Sequence, residues 1–160
     1  MKHTIYIFIF LMCVSCFKKV KRNLDNPLSE RTLLRVKPTD SGNIIFNSCW
    51  ANVPKIKFYK GDSLYRDWGQ ESHNYHIKSY RKKENLIIYE IIPSYIKKSG
   101  DLGDKIESLK ISVKDSLYVS INNDLFIDSL YSSLLPYYKQ PCEECYEKEL
   151  CDKWKKNGEW

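Results

Sequence analysis

The sequence predicts a mainly β protein, an antiparallel up-and-down barrel or curved sheet of about seven or eight strands followed by a C-terminal helix. Two observations carry this prediction. From residue 43 onward, short apolar runs rich in β-branched and aromatic residues alternate with clusters of Gly, Asp, Asn and Lys, which is typical of strands joined by turns. Connections such as 81–84 and 122–124 have the length of hairpin loops, which favours antiparallel neighbours.

The clearest strand signal is the alternation of apolar and polar residues between 108 and 121, on either side of a turn at 114–115. Such alternation buries one face of a strand pair. Six side chains are therefore expected to share one interior: Leu109, Ile111, Val113, Leu117, Val119 and Ile121. The predicted strands are 43–50, 55–60, 74–81, 85–92, 108–113, 116–121 and 124–127.

Two helices are expected after the strands. Residues 128–135 predict a short helix that ends before Pro136, and a second helix begins near Pro141. The second has acidic residues early and lysines late, the order that the helix dipole favours. One broad face of it is apolar and is expected to pack on the sheet: Cys142, Cys145, Tyr146, Leu150 and Trp154. The stretch 94–104 is predicted to be a long, mobile loop.

The first 16 residues have the layout of an export signal. A short basic start precedes an apolar run, residues 5–12, that is too short for a transmembrane helix. The run ends at Cys13-Val14-Ser15-Cys16, which resembles the lipobox of bacterial lipoproteins. The resemblance implies that Cys16 carries lipid after cleavage of residues 1–15. Because Phe17 follows Cys16, it also implies an outer-membrane anchor facing the periplasm.

The rest of the chain divides into two parts by composition. Residues 16–42 contain few large apolar side chains and several turn signals, and they predict a lipidated tether with one short helix at 28–35. Residues 43–160 predict the β-rich domain with its cysteine-containing helix. The formal net charge of +6 includes four basic residues beside Cys16, which suit an anionic membrane surface, and the remaining charges are mixed in sign. We therefore expect no nucleic-acid partner.

Four cysteines follow Cys16, and an even set in an exported chain predicts two disulfides. These are Cys49, Cys142, Cys145 and Cys151. Three connectivities are possible, and in each of them Cys49 pairs with the C-terminal cluster. Cys142-Glu143-Glu144-Cys145 also leaves two alternatives open, a thiol-redox pair and a zinc site with Cys151.

Two further motifs are interpreted structurally. Gly61-Asp62-Ser63-Leu64 matches the signature of GDSL hydrolases, but the chain lacks the late Asp-x-x-His block of that family and its alternation of helices and strands, so Gly61-Asp62 predicts a hairpin turn. His73 and His76 lie three residues apart in a predicted strand and should face opposite sides, which prevents shared metal ligation. The numerous tyrosines and tryptophans are expected to pack in the core or across strands.

The hairpins at 75–92 and 109–121 and the terminal helix resemble the lipocalin-like domains of small bacterial lipoproteins. The resemblance implies a barrel architecture. We expect a non-enzymatic module at the membrane, without a cofactor, that binds a small apolar ligand or a protein partner. No matched nucleophile and base is found, so no catalytic residue is assigned. The alternative function is a thiol-redox factor that uses Cys142 and Cys145. An apolar ligand is expected at the barrel end that carries the 94–104 loop.

Overall fold

The computed structural model describes residues 26–94 and 106–160. The described chain is mainly β, as predicted. It forms ten strands, a short α-helix and two short 3₁₀-helices, and the strands are β1 (Thr32–Thr39), β2 (Gly42–Asn47), β3 (Lys55–Phe58), β4 (Ser63–Asp67), β5 (Ser72–Lys83), β6 (Leu86–Pro93), β7 (Glu107–Val113), β8 (Tyr118–Ile121), β9 (Asp124–Asp128) and β10 (Tyr137–Lys139).

Eight of these strands close into an antiparallel barrel. Strands β3 to β9 pair with their neighbours in chain order, and β1 pairs with both β3 and β9 to complete the ring. The closing register places Leu34 opposite Ile127 and Val36 opposite Leu125. The two remaining strands extend the sheet beyond the barrel: β2 pairs with the C-terminal end of β1, and β10 pairs with β2 in parallel.

Side chains fill the barrel interior. Phe58, Leu64, Tyr89, Ile111 and Ile77 are at most 1% exposed, and they belong to one apolar cluster contributed by strands all round the barrel. Alternation explains this, because every second residue of a strand points inward. Of the six residues predicted to share the interior, the core cluster contains Leu109, Ile111 and Ile121, with Val119 packed against it.

The tether prediction is wrong for residues 26–42, and so is the helix at 28–35. This stretch forms a turn and then β1, which completes the barrel. The turn closes one end of the barrel: Leu28 joins the core cluster, and the buried Asn26 Oδ1 accepts hydrogen bonds from Leu28 N at 3.0 Å and from the Tyr89 hydroxyl at 2.7 Å. Burial raises the pKa of Tyr89 well above its usual value. The β-rich domain therefore begins before residue 43.

The other predicted strands agree with the structure apart from their ends. The interval 85–92 corresponds to Leu86–Pro93, and 108–113 corresponds to Glu107–Val113. The sequence pattern does not predict strands β4 and β10. The turn assigned to Gly61-Asp62 is confirmed, with Gly61 at φ +98°, but β4 begins directly after it. Apart from Ser94, the loop predicted at 94–104 lies outside the described residues.

The helix predicted at 128–135 is confirmed as a 3₁₀-helix, Ser129–Leu134, capped by the Asp128 carboxylate. The single helix predicted from Pro141 is wrong in detail. The chain makes a 3₁₀ turn at Cys142–Glu144 and then the α-helix α1, Lys148–Lys156. The main contacts of α1 are with that turn and not with the sheet. In the described part of the chain, no helix has the length and apolarity to span a membrane.

Candidate functional site

A cleft of about 410 Å³ opens at the barrel end opposite the Asn26 turn. We call it the mouth cleft. Its walls come from the first hairpin, the β2–β3 loop, the β4–β5 turn and the start of β9. The lining residues are Arg35, Val36, Lys37, Pro38, Phe46, Ser48, Ala51, Asn52, Pro54, Trp68, Asn123, Asp124 and Leu125. By the strand order, β6 ends and β7 begins at this same end.

Basic and aromatic side chains meet on one wall of the mouth cleft. Arg35 and Lys37 alternate along β1 and therefore point to the same face. The Arg35 guanidinium donates to Asp124 Oδ1 at 2.8 Å. Lys37 Nζ lies 4.1 Å from the centre of the Phe46 ring, and Phe46 itself stacks on Tyr138 with a 5.8 Å centroid separation. This wall combines positive charge with an apolar surface.

Another wall of the mouth cleft carries Trp68, whose ring centre lies 4.4 Å from the Arg66 guanidinium carbon. Arg66 pairs across the sheet with Ile56, a core residue, so its side chain faces the interior at the mouth. Burial lowers the pKa of Arg66, and the charges of Glu107 and Asp124 act in the opposite direction. In the described ranges Arg66 forms no ion pair.

The β2–β3 loop, residues 48–54, is held in place from two sides. Asn52 N donates to Gly69 O at 3.1 Å, and a Cβ atom at Gly69 would lie 2.9 Å from Ala51 Cβ, so only glycine allows this approach. On the other side, a disulfide joins Cys49 to Cys145. The loop therefore forms a fixed wall of the mouth cleft.

The two predicted disulfides are present, and Cys49 pairs with the C-terminal cluster as expected. The structure selects one connectivity, Cys49 with Cys145 and Cys142 with Cys151. Cys142 and Cys151 are both 0% exposed. The redox alternative requires a Cys142–Cys145 bond, which is not formed, and with all four thiols in disulfides the zinc alternative has no ligands in this structure.

Part of the aromatic content lies outside the barrel, contrary to the expectation of core or cross-strand packing. Tyr146 contacts Trp50 at 4.6 Å, Trp154 at 4.9 Å and Trp160 at 5.9 Å between ring centres. These rings form a small second cluster around the disulfides, and Trp50 remains 59% exposed. The cluster supports the C-terminal segment, which makes few contacts with the sheet.

The barrel wall brings together three residues that the sequence pattern does not combine. Ser63 in β4 lies opposite His76 in β5, and His76 Nδ1 lies 3.5 Å from Asp62 Oδ2. No hydrogen bond joins Ser63 to His76 in the described chain, and the His76 and Asp62 side chains are 53% and 61% exposed. None of the three residues lines the mouth cleft. The arrangement therefore lacks the activated hydroxyl and the enclosed site of a hydrolase.

The two histidines of the His-x-x-His pair lie on opposite faces of β5, as expected. His73 faces the mouth, with its ring 5.7 Å from Trp68, and His76 faces outward beside Asp62. The lipidation candidate Cys16 lies outside the described residues.

Sequence reasoning misses the residues that form the mouth cleft. It assigns Arg35 and Lys37 to the tether, places Phe46 in the predicted strand 43–50 and counts Trp68 among the packing aromatics. The only local signal is Trp68 followed by Gly69, an exposed aromatic in a tight turn. The cleft is assembled from four separate segments, so no short motif marks it.

Comparison with known proteins does not identify a family for this chain. No protein-family model, no curated protein and no solved structure matches the chain. The class defined by the structure is a closed antiparallel eight-stranded barrel with a disulfide-linked C-terminal helix.

Proposed function

We propose that the protein is an envelope lipoprotein, tethered by lipid on Cys16 to the outer membrane and facing the periplasm, that acts as a non-enzymatic module for binding a small apolar ligand. The leader and the Ser15-Cys16 sequence support the tether. Two disulfides fit an oxidising compartment outside the cytoplasm.

The observation that carries the binding proposal is the mouth cleft above a filled interior. Because core side chains occupy the space inside the barrel, a ligand has room at the mouth and not in the barrel centre. The cleft volume of about 410 Å³ lies within the usual range for small-molecule sites, about 300 to 1,000 Å³. Apolar walls at Val36, Phe46, Trp68 and Leu125 suit an apolar ligand.

The binding test uses N-phenyl-1-naphthylamine, an uncharged dye that fluoresces in apolar surroundings. We expect saturable binding, weakened about tenfold or more by Trp68→Ala, which corresponds to about 1.4 kcal/mol. Tyr131→Ala is the matched control, because Tyr131 is 42% exposed, much like Trp68, but lies outside the mouth cleft. Absence of saturable binding, or equal loss in both variants, would overturn the binding proposal.

The tether is tested separately from binding. The full chain should fractionate with membranes and label with radioactive palmitate, because three acyl chains bind a bilayer essentially irreversibly at about 0.8 kcal/mol per buried methylene. Cys16→Ser should abolish labelling and leave an uncut precursor, whereas Cys13→Ser should keep the label. A Cys16→Ser protein that is still cut and labelled contradicts the tether.

A second candidate ligand is a protein partner, and one observation favours it. Leu130, Leu134 and Tyr137 are 79%, 63% and 60% exposed, which is unusual for large apolar side chains within eight residues of chain. A photo-crosslinker at Leu130 should then give a discrete product in cells, and one at the exposed Lys110 should not. Equal products at both positions would remove this candidate.

A further inference from the structure

We propose that the ligand of the mouth cleft is an amphipathic anion, whose apolar body lies between Phe46 and Trp68 and whose acidic group binds Arg35 and Lys37. The inference rests on the proposed binding function and specifies the chemical class of its ligand. Carboxylates and sulfonates with an aromatic or short aliphatic body belong to this class.

The first step is the charge of the cleft lining. Its ionisable residues are Arg35, Lys37 and Asp124, so the lining has a formal charge of +1. Asp124 pairs with one nitrogen of Arg35 at 2.8 Å, which leaves the other guanidinium donors of Arg35 available. Lys37 forms no ion pair in the part of the chain that the structure describes. An incoming acidic group can therefore pair with Lys37, which has no ion-pair partner in the described residues, and with the guanidinium donors of Arg35 that Asp124 does not use.

The second step is the way that the structure holds these cations. Lys37 lies on the face of Phe46, and Arg66 lies on the face of Trp68. A cation held against an aromatic ring places positive charge at the edge of an apolar surface. A ligand that contacts both features needs an apolar body and a negative group a few ångströms apart. A purely apolar molecule would contact the rings but would give Lys37 no anionic partner.

The third step concerns Arg66, whose guanidinium lies on the face of the Trp68 ring and whose side chain faces the barrel interior. Its guanidinium is partly buried and has no ion-pair partner in the described ranges; burial lowers the pKa of Arg66, and the charges of Tyr75, Glu107 and Asp124 act in the opposite direction. Charges in such partly desolvated surroundings act more strongly than charges in water. Arg66 therefore adds to the attraction for an anion without lining the cleft, and it is a positioning residue in this site.

The test compares two dyes that differ only by a sulfonate group. 8-Anilinonaphthalene-1-sulfonate carries a sulfonate on the framework of N-phenyl-1-naphthylamine. At low salt we expect the sulfonate to bind about fivefold or more tightly than the neutral dye, and its affinity alone should fall as ionic strength rises. Equal affinities for the two dyes, or a preference for the neutral one, would overturn the proposal.

Matched variants locate the charge effect. Lys37→Gln should remove most of the difference between the dyes, because it lowers the affinity for the sulfonate dye more than the affinity for the neutral dye. Lys57→Gln is the control, because Lys57 also lies over an aromatic ring, Tyr59 at 5.1 Å, but does not line the cleft. Arg66→Gln should reduce the difference between the dyes partially, with thermal melting as the check on folding. An identical effect of the Lys37 and Lys57 variants contradicts the assignment.

The outcomes separate this inference from the proposed function. Binding of both dyes with equal affinity, reduced by Trp68→Ala, would retain the apolar site and exclude the anion. Binding of neither dye would overturn both proposals.

Discussion

Asp62, Ser63 and His76 show that residue types and proximity do not by themselves make a catalytic unit. The imidazole lies 3.5 Å from the carboxylate, yet it receives no hydrogen bond from the serine within the described chain. The group stands on the outer wall of the barrel, where water reaches both partners of the pair. Catalytic serines gain their reactivity from a bound base and from preorganised donors in a water-excluding site, and this stretch of the barrel wall supplies neither.

We therefore predict that the folded protein does not hydrolyse p-nitrophenyl acetate by a serine mechanism. Ser63→Ala should leave any background rate unchanged, because the hydroxyl is not activated. The measurement is the initial rate for both proteins at the same concentration, together with His76→Asn. Turnover that both substitutions abolish would restore the hydrolase interpretation.

At the scale of elements, the loop 48–54 links the mouth cleft to the rest of the fold. It lines the cleft through Ser48, Ala51, Asn52 and Pro54. The same loop contacts the β4–β5 turn at Gly69 and is joined by Cys49 to the C-terminal segment. Changes at either attachment should therefore alter ligand binding as well as stability.

Gly69→Ala tests the first attachment. Its φ of +107° and the 2.9 Å approach to Ala51 Cβ predict a loss of about 1 to 3 kcal/mol in unfolding free energy and weaker dye binding. Gly61→Ala is the control, because its φ is +98° but nothing lies within 4 Å of the added Cβ. It should lose less stability and keep its affinity for dye, as measured by urea unfolding and fluorescence titration. Equal effects of the two substitutions would contradict the role of the close approach.

The second attachment is tested by removing each disulfide with paired Cys→Ala substitutions. Cys49–Cys145 spans 96 residues, and the chain-entropy model assigns such a loop about 4 to 5 kcal/mol. Cys142–Cys151 spans 9 residues, for which the same model gives about 2 to 3 kcal/mol. The first pair should also weaken dye binding, because it holds the loop 48–54.

Peptide mapping of non-reduced protein checks the pairing itself. The expected products join Cys49 to Cys145 and Cys142 to Cys151. A Cys142–Cys145 product would contradict the structure and return support to the redox alternative.

How far the elements follow from the sequence depends on where their polar residues point. The sequence predicts strands β5 to β7 to within two residues, because apolar residues alternate along them and a short turn separates β5 from β6. It misses strand β1 because Arg35 and Lys37 take the inward positions at the mouth, where the core pattern ends. It misses the cleft for a related reason: Arg35, Phe46 and Trp68 become neighbours only when β1 pairs with both β2 and β3, and the start of β9 joins them through the pairing of β1 with β9.

At the scale of the whole molecule, the barrel interior provides stability, and the proposed binding site lies at the barrel mouth. Residues such as Ile111, 0% exposed, fill the interior and contribute stability through burial. The mouth cleft lies at one end of this core and is lined mainly by partly exposed side chains. The expectation that a ligand binds at one end of the barrel stays a prediction. Because the interior is filled by side chains, the ligand is expected at the mouth.

This separation predicts opposite effects for two substitutions. Ile111→Ala should lower the free energy of unfolding by about 2 to 5 kcal/mol, since it leaves a cavity in a packed core. It should not change dye affinity below the melting transition, because Ile111 does not line the cleft. Trp68→Ala should lower dye affinity about tenfold or more with a smaller loss of stability, since its side chain is already 41% exposed. Urea unfolding measures the stability of both variants, and dye titration measures their affinities. If Ile111→Ala lost as much dye affinity as Trp68→Ala, the ligand would lie inside the barrel and not at its mouth.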